Sequence, residues 1–155
     1  MGKIITAVVA VYVLTAIAIY TVSCPCERTP GLWLTGYEVD QPQADWGFIN
    51  DVGLCELEVN SWRPHSITLN CMSAEGELFI SCSQCEGKYW SGVALDNPAG
   101  TLRAEGRLYP VTLTRLTAAE QLDKAWLARI TKLKRPLDSP RPDHWWSFRL
   151  ASRSS

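Results

Sequence analysis

Between residues 54 and 115, apolar and polar residues alternate in several short runs. Turn-forming residues separate most of these runs. Alternation with a period of two is typical of strands that bury one face. The pattern predicts five strands in this stretch and a sixth near the C-terminus. They are 54–60, 66–72, 77–82, 101–105, 108–115 and 144–151. The short turns between most of these runs favour antiparallel pairing.

Two helical segments interrupt the strands. The first, 87–95, must end by Asn97, because the residue before Pro98 is steered away from helical geometry. The second opens at a capping box of Thr117 and Glu120 and carries an apolar stripe from Leu122 to Leu133. Two helices are too few to supply the crossovers of a parallel sheet. The sequence therefore predicts a mainly β protein with some α: a compact six-stranded antiparallel barrel with one short and one longer helix.

The N-terminal segment is of another kind. Residues 4–23 hold no charge and would be about 30 Å long as a helix, which matches the hydrocarbon layer of a bilayer. We expect a single transmembrane anchor over 1–24, an extended tether over 25–53 and a barrel domain over 54–155. Lys3 precedes the span and few cations follow it, so the barrel is expected on the non-cytoplasmic, periplasmic side of the membrane.

Seven tryptophans in 155 residues point to contact surfaces. Trp33 and Trp46 lie in the tether, whereas Trp145 and Trp146 are adjacent in the last strand and must point to opposite faces. These four are the interface candidates. The expected partners are the lipid bilayer and other membrane protein subunits, with a homodimer as a further possibility. No basic run is dense enough to indicate nucleic-acid binding.

Cysteine spacing leaves several interpretations open. Cys82 and Cys85 stand three apart before a predicted helix, and Cys24 and Cys26 follow the apolar segment. In an oxidising compartment the simplest interpretation is a disulfide, within the later pair or to Cys24 or Cys26. The alternatives are unpaired thiols, a redox pair, or a four-thiolate zinc site, for which the first spacing is short. No metal site is predicted.

No catalytic residue can be assigned from the pattern. His65 and His144 are the only histidines, and both stand in turn-like surroundings. No serine, histidine and carboxylate combination emerges. Glu56 and Glu58 share one face of a strand, where exposure to solvent explains them better than acid–base pairing does.

The segment from Lys88 to Glu120 carries a family resemblance. Within it, Trp90, Asn97-Pro98, Gly106-Arg107 and Tyr109-Pro110-Val111 stand at characteristic spacings. In this segment and in its order of strands and helices over 54–153, the chain resembles the pyridoxamine-phosphate-oxidase-like split-barrel flavoproteins, most closely their deazaflavin-dependent nitroreductase and quinone reductase branch. The resemblance implies a split barrel that binds flavin or deazaflavin and passes hydride to a quinone or nitro compound.

The sequence also departs from this family at the expected cofactor site. Where a glycine-containing turn would hold the phosphate tail, the chain has Trp62, Arg63 and Pro64, and the proline lacks a backbone donor. Ser91 and Val93 replace a tyrosine and an asparagine near the expected pocket. The remaining candidates for cofactor binding are Arg63, Lys88, Trp90, Arg103 and Arg107.

These departures favour loss of the cofactor. The sequence thus predicts a non-catalytic accessory or docking subunit of a membrane redox assembly, of the respiratory or photosynthetic type. The alternative is an oxidoreductase that uses flavin or deazaflavin to reduce quinones or nitro compounds. Fold alone does not decide between the two functions.

Overall fold

The computed structural model describes residues 2–23, 30–59 and 62–154. The strands are β1 (Tyr37–Glu38), β2 (Cys55–Val59), β3 (His65–Leu69), β4 (Cys71–Ala74), β5 (Glu77–Ser83), β6 (Ala99–Ala104), β7 (Arg107–Arg115) and β8 (Trp145–Ser152). The helices are α1 (Gly2–Ser23), α2 (Tyr89–Asp96) and α3 (Ala119–Lys132), and a 3₁₀ turn covers Gly47–Asn50. The described part is thus mainly β with α, as predicted.

The strands form one sheet in the order β3-β2-β6-β7-β8-β5-β4, and β1 pairs with β7 in parallel. All the other described pairings are antiparallel. The strands at the two ends of this order, β3 and β4, follow one another in the chain, with only Asn70 between them. The sheet is therefore a curved half-barrel with a seam between β3 and the β4–β5 hairpin.

The prediction of six strands was wrong, because the described sheet has eight. The predicted strand 66–72 breaks at Asn70, where the chain leaves one end of the sheet and enters the other. A two-residue strand, β1, lies in the stretch predicted as an extended tether, where it adds to β7 beside Arg107 and Leu108. The alternation continues across the break at Asn70, and a two-residue strand is too short to show a period, so periodicity alone reveals neither feature.

The prediction of a transmembrane anchor was also wrong. Among residues 2–23, 30–59 and 62–154, no helix combines the length and the apolar character needed to cross a bilayer. A bilayer crossing takes about 20 consecutive apolar residues in one helix. The single-pass periplasmic placement, which was inferred from that anchor, loses its basis with it.

Alternation along the strands divides the buried side chains between two cores. The larger core lies inside the half-barrel and includes Leu57, Ile80, Leu102, Val111 and Phe148. The smaller one lies beneath α3 and is formed by Met72, Phe79, Leu116, Ala125 and Ala128. Successive side chains of a strand point to opposite faces of the sheet. In β5, Phe79 accordingly packs in the core beneath α3, and Ile80 packs in the core inside the half-barrel.

The segment before β2 also packs on the sheet. Trp46 is buried against Tyr109, with their ring centroids 5.1 Å apart, and its backbone N–H donates to the Gly76 carbonyl. Leu34 is buried, and its N–H donates to a carboxylate oxygen of Glu58. These contacts bring the chain around residue 30 to the outer edge of β3, where Gly31 and Ser66 exchange two backbone hydrogen bonds.

Candidate functional site

A cleft of about 450 Å³ opens at the seam of the half-barrel. Ile67 and its neighbours in β3 form one wall, and residues 81–83 of β5 form another. Lys88, Tyr89 and Trp90, at the start of α2, also line it, as do Arg129 of α3 and Trp145 of β8. Its size is that of a pocket for a small organic ligand.

The lining of this cleft includes two cations and three large aromatic rings. Its fully charged groups are Lys88 and Arg129, and none of the described residues that line it is acidic. Neither cation has an ion pair with a carboxylate in the described part of the chain. The rings of Tyr89, Trp90 and Trp145 supply flat apolar surface. Such a lining suits a planar ligand that carries negative charge.

The loop before α2 fixes the position of Lys88. Lys88 is the N-cap residue of α2, and its backbone N–H donates to the Cys85 carbonyl over 3.1 Å. The Ser91 hydroxyl, where the resemblance expects a tyrosine, donates to the carbonyls of Cys85 and Lys88. The substituted serine therefore holds the turn that presents Lys88 and Tyr89 to the cleft.

Arg129 and Trp145 each have a buried N–H without an acceptor. The Nε of Arg129 and the Nε1 of Trp145 are inaccessible to solvent, and neither has a hydrogen-bond partner among the described residues. Burial, together with repulsion from Arg135, lowers the pKa of Arg129. An unsatisfied buried donor costs about 1–3 kcal/mol. Both residues line the cleft, but these two nitrogen atoms do not face it, so a ligand recovers that cost only when the side chains turn toward it.

The neighbouring Trp126, unlike Trp145, has a hydrogen-bond partner for its indole N–H. Its indole ring meets the Trp145 ring edge to face, with the centroids 5.4 Å apart. The Nε1–H of Trp126 donates to the Ser139 carbonyl over 2.8 Å. Of these two adjacent tryptophans, therefore, the one that lines the cleft keeps its donor unpaired.

The cysteines beside the cleft form a disulfide. Cys82 lines the cleft and is bonded to Cys85, with their Cα atoms 5.6 Å apart. The predicted presence of disulfide bonding is confirmed, in the form of the bond within the pair. A second disulfide, Cys55–Cys71, joins the starts of β2 and β4 and was not anticipated. Cys24 and Cys26 lie outside the described residues.

His65 stands at the other rim of the cleft. Its ring meets the Tyr89 ring edge to face, with the centroids 4.8 Å apart. Burial lowers the pKa of His65 from its usual value. The imidazole is therefore mainly neutral at pH 7, and it contributes an aromatic surface more than a charge.

The structure separates the five residues predicted to bind a cofactor. Lys88 and Trp90 line the cleft, and Arg63 lines an adjoining compartment. Arg103 binds the carboxylate of Glu56 across the β2–β6 pair and also donates to the Thr35 carbonyl. Arg107 is exposed at the start of β7. Neither of these last two is among the described residues that line the cleft.

The tryptophans proposed for an interface occupy four different environments. Trp33 is 66% exposed and lines the adjoining compartment, whereas Trp46 is 3% exposed and lies in the core. Trp145 lines the cleft. Trp146 is half-buried beneath the Arg115 guanidinium, whose carbon lies 3.5 Å from the ring centroid. The single chain does not test whether any of them contacts a partner.

Sequence reasoning missed Arg129. The signal in the sequence was the position of Arg129 in the predicted helix, four residues after Ala125 and three after Trp126. It therefore belongs at the border of the face predicted to be buried. An arginine on such a face needs an explanation, since arginine is almost never buried without a partner.

The residues of the cleft fit the flavin class of cofactor. A flavin nucleotide combines a flat tricyclic ring with a phosphate tail, and the cleft offers aromatic walls with two cations. Lys88 and Arg129 have no ion pair among the described residues, and a phosphate group would give either of them a partner of opposite charge. In the part of the chain that the structure describes, no group of three or more His, Cys, Asp or Glu side chains could hold a metal ion.

Comparisons with known proteins agree with this geometry at the level of the fold. No family model and no curated protein matches the chain. Among solved structures, a candidate 5-nitroimidazole antibiotic resistance protein from Bacteroides thetaiotaomicron is similar with a TM-score of 0.57 and 9% identity. The match covers 75% of this chain and 82% of that protein.

Two further structures extend the comparison. A proposed pyridoxamine 5'-phosphate oxidase from Listeria innocua has a TM-score of 0.55 at 9% identity, over 69% of this chain and 89% of that one. An FAD-binding protein from Mesorhizobium loti has a TM-score of 0.51 at 14% identity, over 68% and 85%. These likenesses show that the chain has the fold of the pyridoxamine-phosphate-oxidase-like split-barrel proteins.

Proposed function

We propose that this protein binds a flavin nucleotide in the seam cleft and acts as a flavin-dependent reductase of a small organic acceptor. The observation that carries the proposal is that two cations without an ion pair among the described residues, Lys88 and Arg129, line a cleft whose described lining has no acidic residue. A flavin, when bound, supplies two-electron hydride transfer.

The protein's own residues would bind and orient the cofactor. Lys88 of α2 and Arg129 of α3 both line the cleft, so one can bind the phosphate and the other an electron-rich edge of the ring. The rings of Trp90 and Tyr89 exclude water from one side, and the hydroxyls of Ser81 and Ser83 can both donate and accept hydrogen bonds.

The comparisons support a flavin in preference to a deazaflavin. One structural neighbour is an FAD-binding protein and another is a proposed pyridoxamine 5'-phosphate oxidase. The sequence favoured a docking subunit of a membrane assembly, because of the departures at the expected cofactor turn and because of the expected transmembrane anchor. Because no described helix meets the requirement for a bilayer crossing, we do not carry that function forward.

Titration of the purified protein against flavin mononucleotide (FMN), followed by quenching of flavin fluorescence, tests the proposal. Wild-type protein is expected to bind saturably at one site per chain. Lys88→Gln is expected to weaken binding about 10- to 100-fold, which corresponds to the loss of one charge-assisted hydrogen bond. Arg107→Gln is the matched control, because Arg107 is exposed outside the cleft. Absence of saturable binding, or an equal loss in both variants, would contradict the proposal.

A further inference from the structure

A second compartment of about 410 Å³ adjoins the cleft. The two cavities share three residues: Pro30, His65 and Tyr89. The remaining walls come from two segments outside the cleft. They are Gly31, Leu32 and Trp33 before β1, and Arg63 and Pro64 before β3.

The walls of this second compartment are aromatic and apolar, yet they remain open to solvent. The Trp33 side chain is 66% exposed and that of Tyr89 is 43% exposed. Exposed rings are stabilised when a flat ligand covers them, at about 25 cal/mol for each Å² of apolar surface that is buried. Trp33 and Tyr89 thus offer surface for stacking to the same bound ring.

One cation sets the charge preference. Arg63 is the only lining residue with a full charge among those described, and none is acidic. The guanidinium carbon of Arg63 lies 4.4 Å from the centroid of the Trp62 ring, which is a cation–π distance. This contact with Trp62 holds the charge of Arg63 beside the compartment. The sequence interpretation linked Arg63 to the cofactor's phosphate, but in the structure it lines this second compartment and not the cleft.

The shared wall connects the two compartments physically. His65 and Tyr89 pack edge to face between them, with their centroids 4.8 Å apart. A ligand in the second compartment can therefore contact the same two rings as a ligand in the cleft.

We infer that the second compartment binds a planar aromatic acid, a ring that carries a carboxylate or sulfonate, through Trp33 and Arg63. This inference goes beyond the proposed function, because binding at this site needs no flavin in the cleft.

Equilibrium dialysis of flavin-free protein with two probes tests this site. The probes are 1,4-naphthoquinone-2-sulfonate and uncharged 1,4-naphthoquinone, which differ by the acidic group. Wild-type protein is expected to bind the sulfonate about 10-fold more tightly. Arg63→Gln is expected to remove that difference, and Trp33→Ala to weaken both probes about 5- to 10-fold.

Tyr37→Ala is the control for Trp33→Ala, because Tyr37 is 83% exposed and lines neither compartment. Equal affinity of wild-type protein for the two probes, or affinities that Arg63→Gln and Trp33→Ala leave unchanged, would overturn the inference. The proposed function fails separately. If FMN does not bind while the sulfonate binds in an Arg63-dependent way, the compartment is a binding site for aromatic acids and the assignment of a flavin reductase is wrong.

Discussion

The guanidinium carbon of Arg129 lies 4.4 Å from the centroid of the Trp145 ring. This contact joins α3 to β8 at the end of the seam cleft, and each residue keeps a buried N–H donor unpaired there. A cation–π contact contributes about 0.5–1 kcal/mol, whereas an unsatisfied buried donor costs about 1–3 kcal/mol. On balance, the arrangement destabilises the ligand-free protein and favours a movement of the two side chains that gives both donors acceptors.

Replacement of Arg129 by an apolar side chain is therefore expected to stabilise the ligand-free protein. Arg129→Met removes a desolvated cation and an unpaired donor but keeps the volume of the side chain. We expect the free energy of unfolding to rise by about 1 kcal/mol and FMN binding to be lost. Urea denaturation and flavin titration measure the two effects.

Arg115→Met is the matched control for that substitution, because Arg115 also covers a tryptophan ring but lies on an exposed part of β7. It is expected to lower the free energy of unfolding by up to about 1 kcal/mol and to leave FMN binding intact. If Arg129→Met destabilises the protein as much as Arg115→Met does, the argument from the unpaired donor is wrong.

The two disulfides are expected to differ in their access to reductant. Cys82 lines the cleft and is 9% exposed, whereas Cys55 and Cys71 are fully buried. Thiol–disulfide exchange requires contact between the attacking thiolate and a sulfur atom. Mild reduction of the native protein should therefore open Cys82–Cys85 first.

Alkylation and intact mass spectrometry count the thiols that form. In a background that carries Cys24→Ser and Cys26→Ser, two alkylated thiols are expected under native conditions and four after unfolding. Simultaneous appearance of all four in the native protein would show that access through the cleft does not control reduction.

Stability is expected to fall in weak acid through His65. Burial lowers the pKa of the folded imidazole, so the unfolded state binds the proton more readily. The contribution of the neutral His65 ring to the free energy of unfolding is fully present above the pKa of histidine in the unfolded state, about 6.5. It is lost progressively as the pH falls from there through the lower pKa of the folded state.

The free energy of unfolding, measured by urea titration from pH 5 to pH 8, checks this effect. His65→Gln should flatten the part of the profile just below pH 6.5. An unchanged slope in the variant would exclude His65 as its source.

Glycine 100 is expected to tolerate no side chain. A Cβ at Gly100 would lie 2.8 Å from the Glu58 carbonyl oxygen and 3.0 Å from a methyl carbon of Leu113. Gly100→Ala should therefore lower the free energy of unfolding by about 1–3 kcal/mol, as overpacked sites do. Thermal or urea denaturation measures the loss.

Gly92 provides the opposite control. It is an exposed position within α2, and an added Cβ there meets no atom within 4 Å. Gly92→Ala is expected to raise stability by about 1 kcal/mol, because alanine favours the helical backbone. If both substitutions change stability in the same direction, the packing argument at Gly100 does not hold.

Much of the sheet follows from periodicity. The pattern predicted strands at 54–60, 77–82 and 108–115, and the structure has β2, β5 and β7 there within about two residues at each end. It joined β3 to β4, because Leu69 and Cys71 continue the alternation across Asn70 and nothing local marks a change of partner strand. The predicted capping box also fails in detail: α3 is capped at Ala118 without a side-chain hydrogen bond.

The candidate site was less predictable than the sheet. Lys88 and Trp90 could be chosen because they stand at the start of a helix in a segment with a family resemblance. Arg129 is more than 40 residues from Lys88, and Trp145 is further still. The seam brings them together through the order of the strands, which local propensity does not encode.

The indole N–H signal of Trp145 tests the account most directly. In a ¹⁵N-labelled sample the seven tryptophans give separate indole signals, and Trp145→Phe identifies the one of interest. On addition of FMN, we predict a downfield shift of the Trp145 signal as its unpaired donor gains an acceptor, while the signal of Trp126, already bonded to Ser139, moves little. FMN binding that leaves the Trp145 signal unmoved, or no binding at all, would contradict the account.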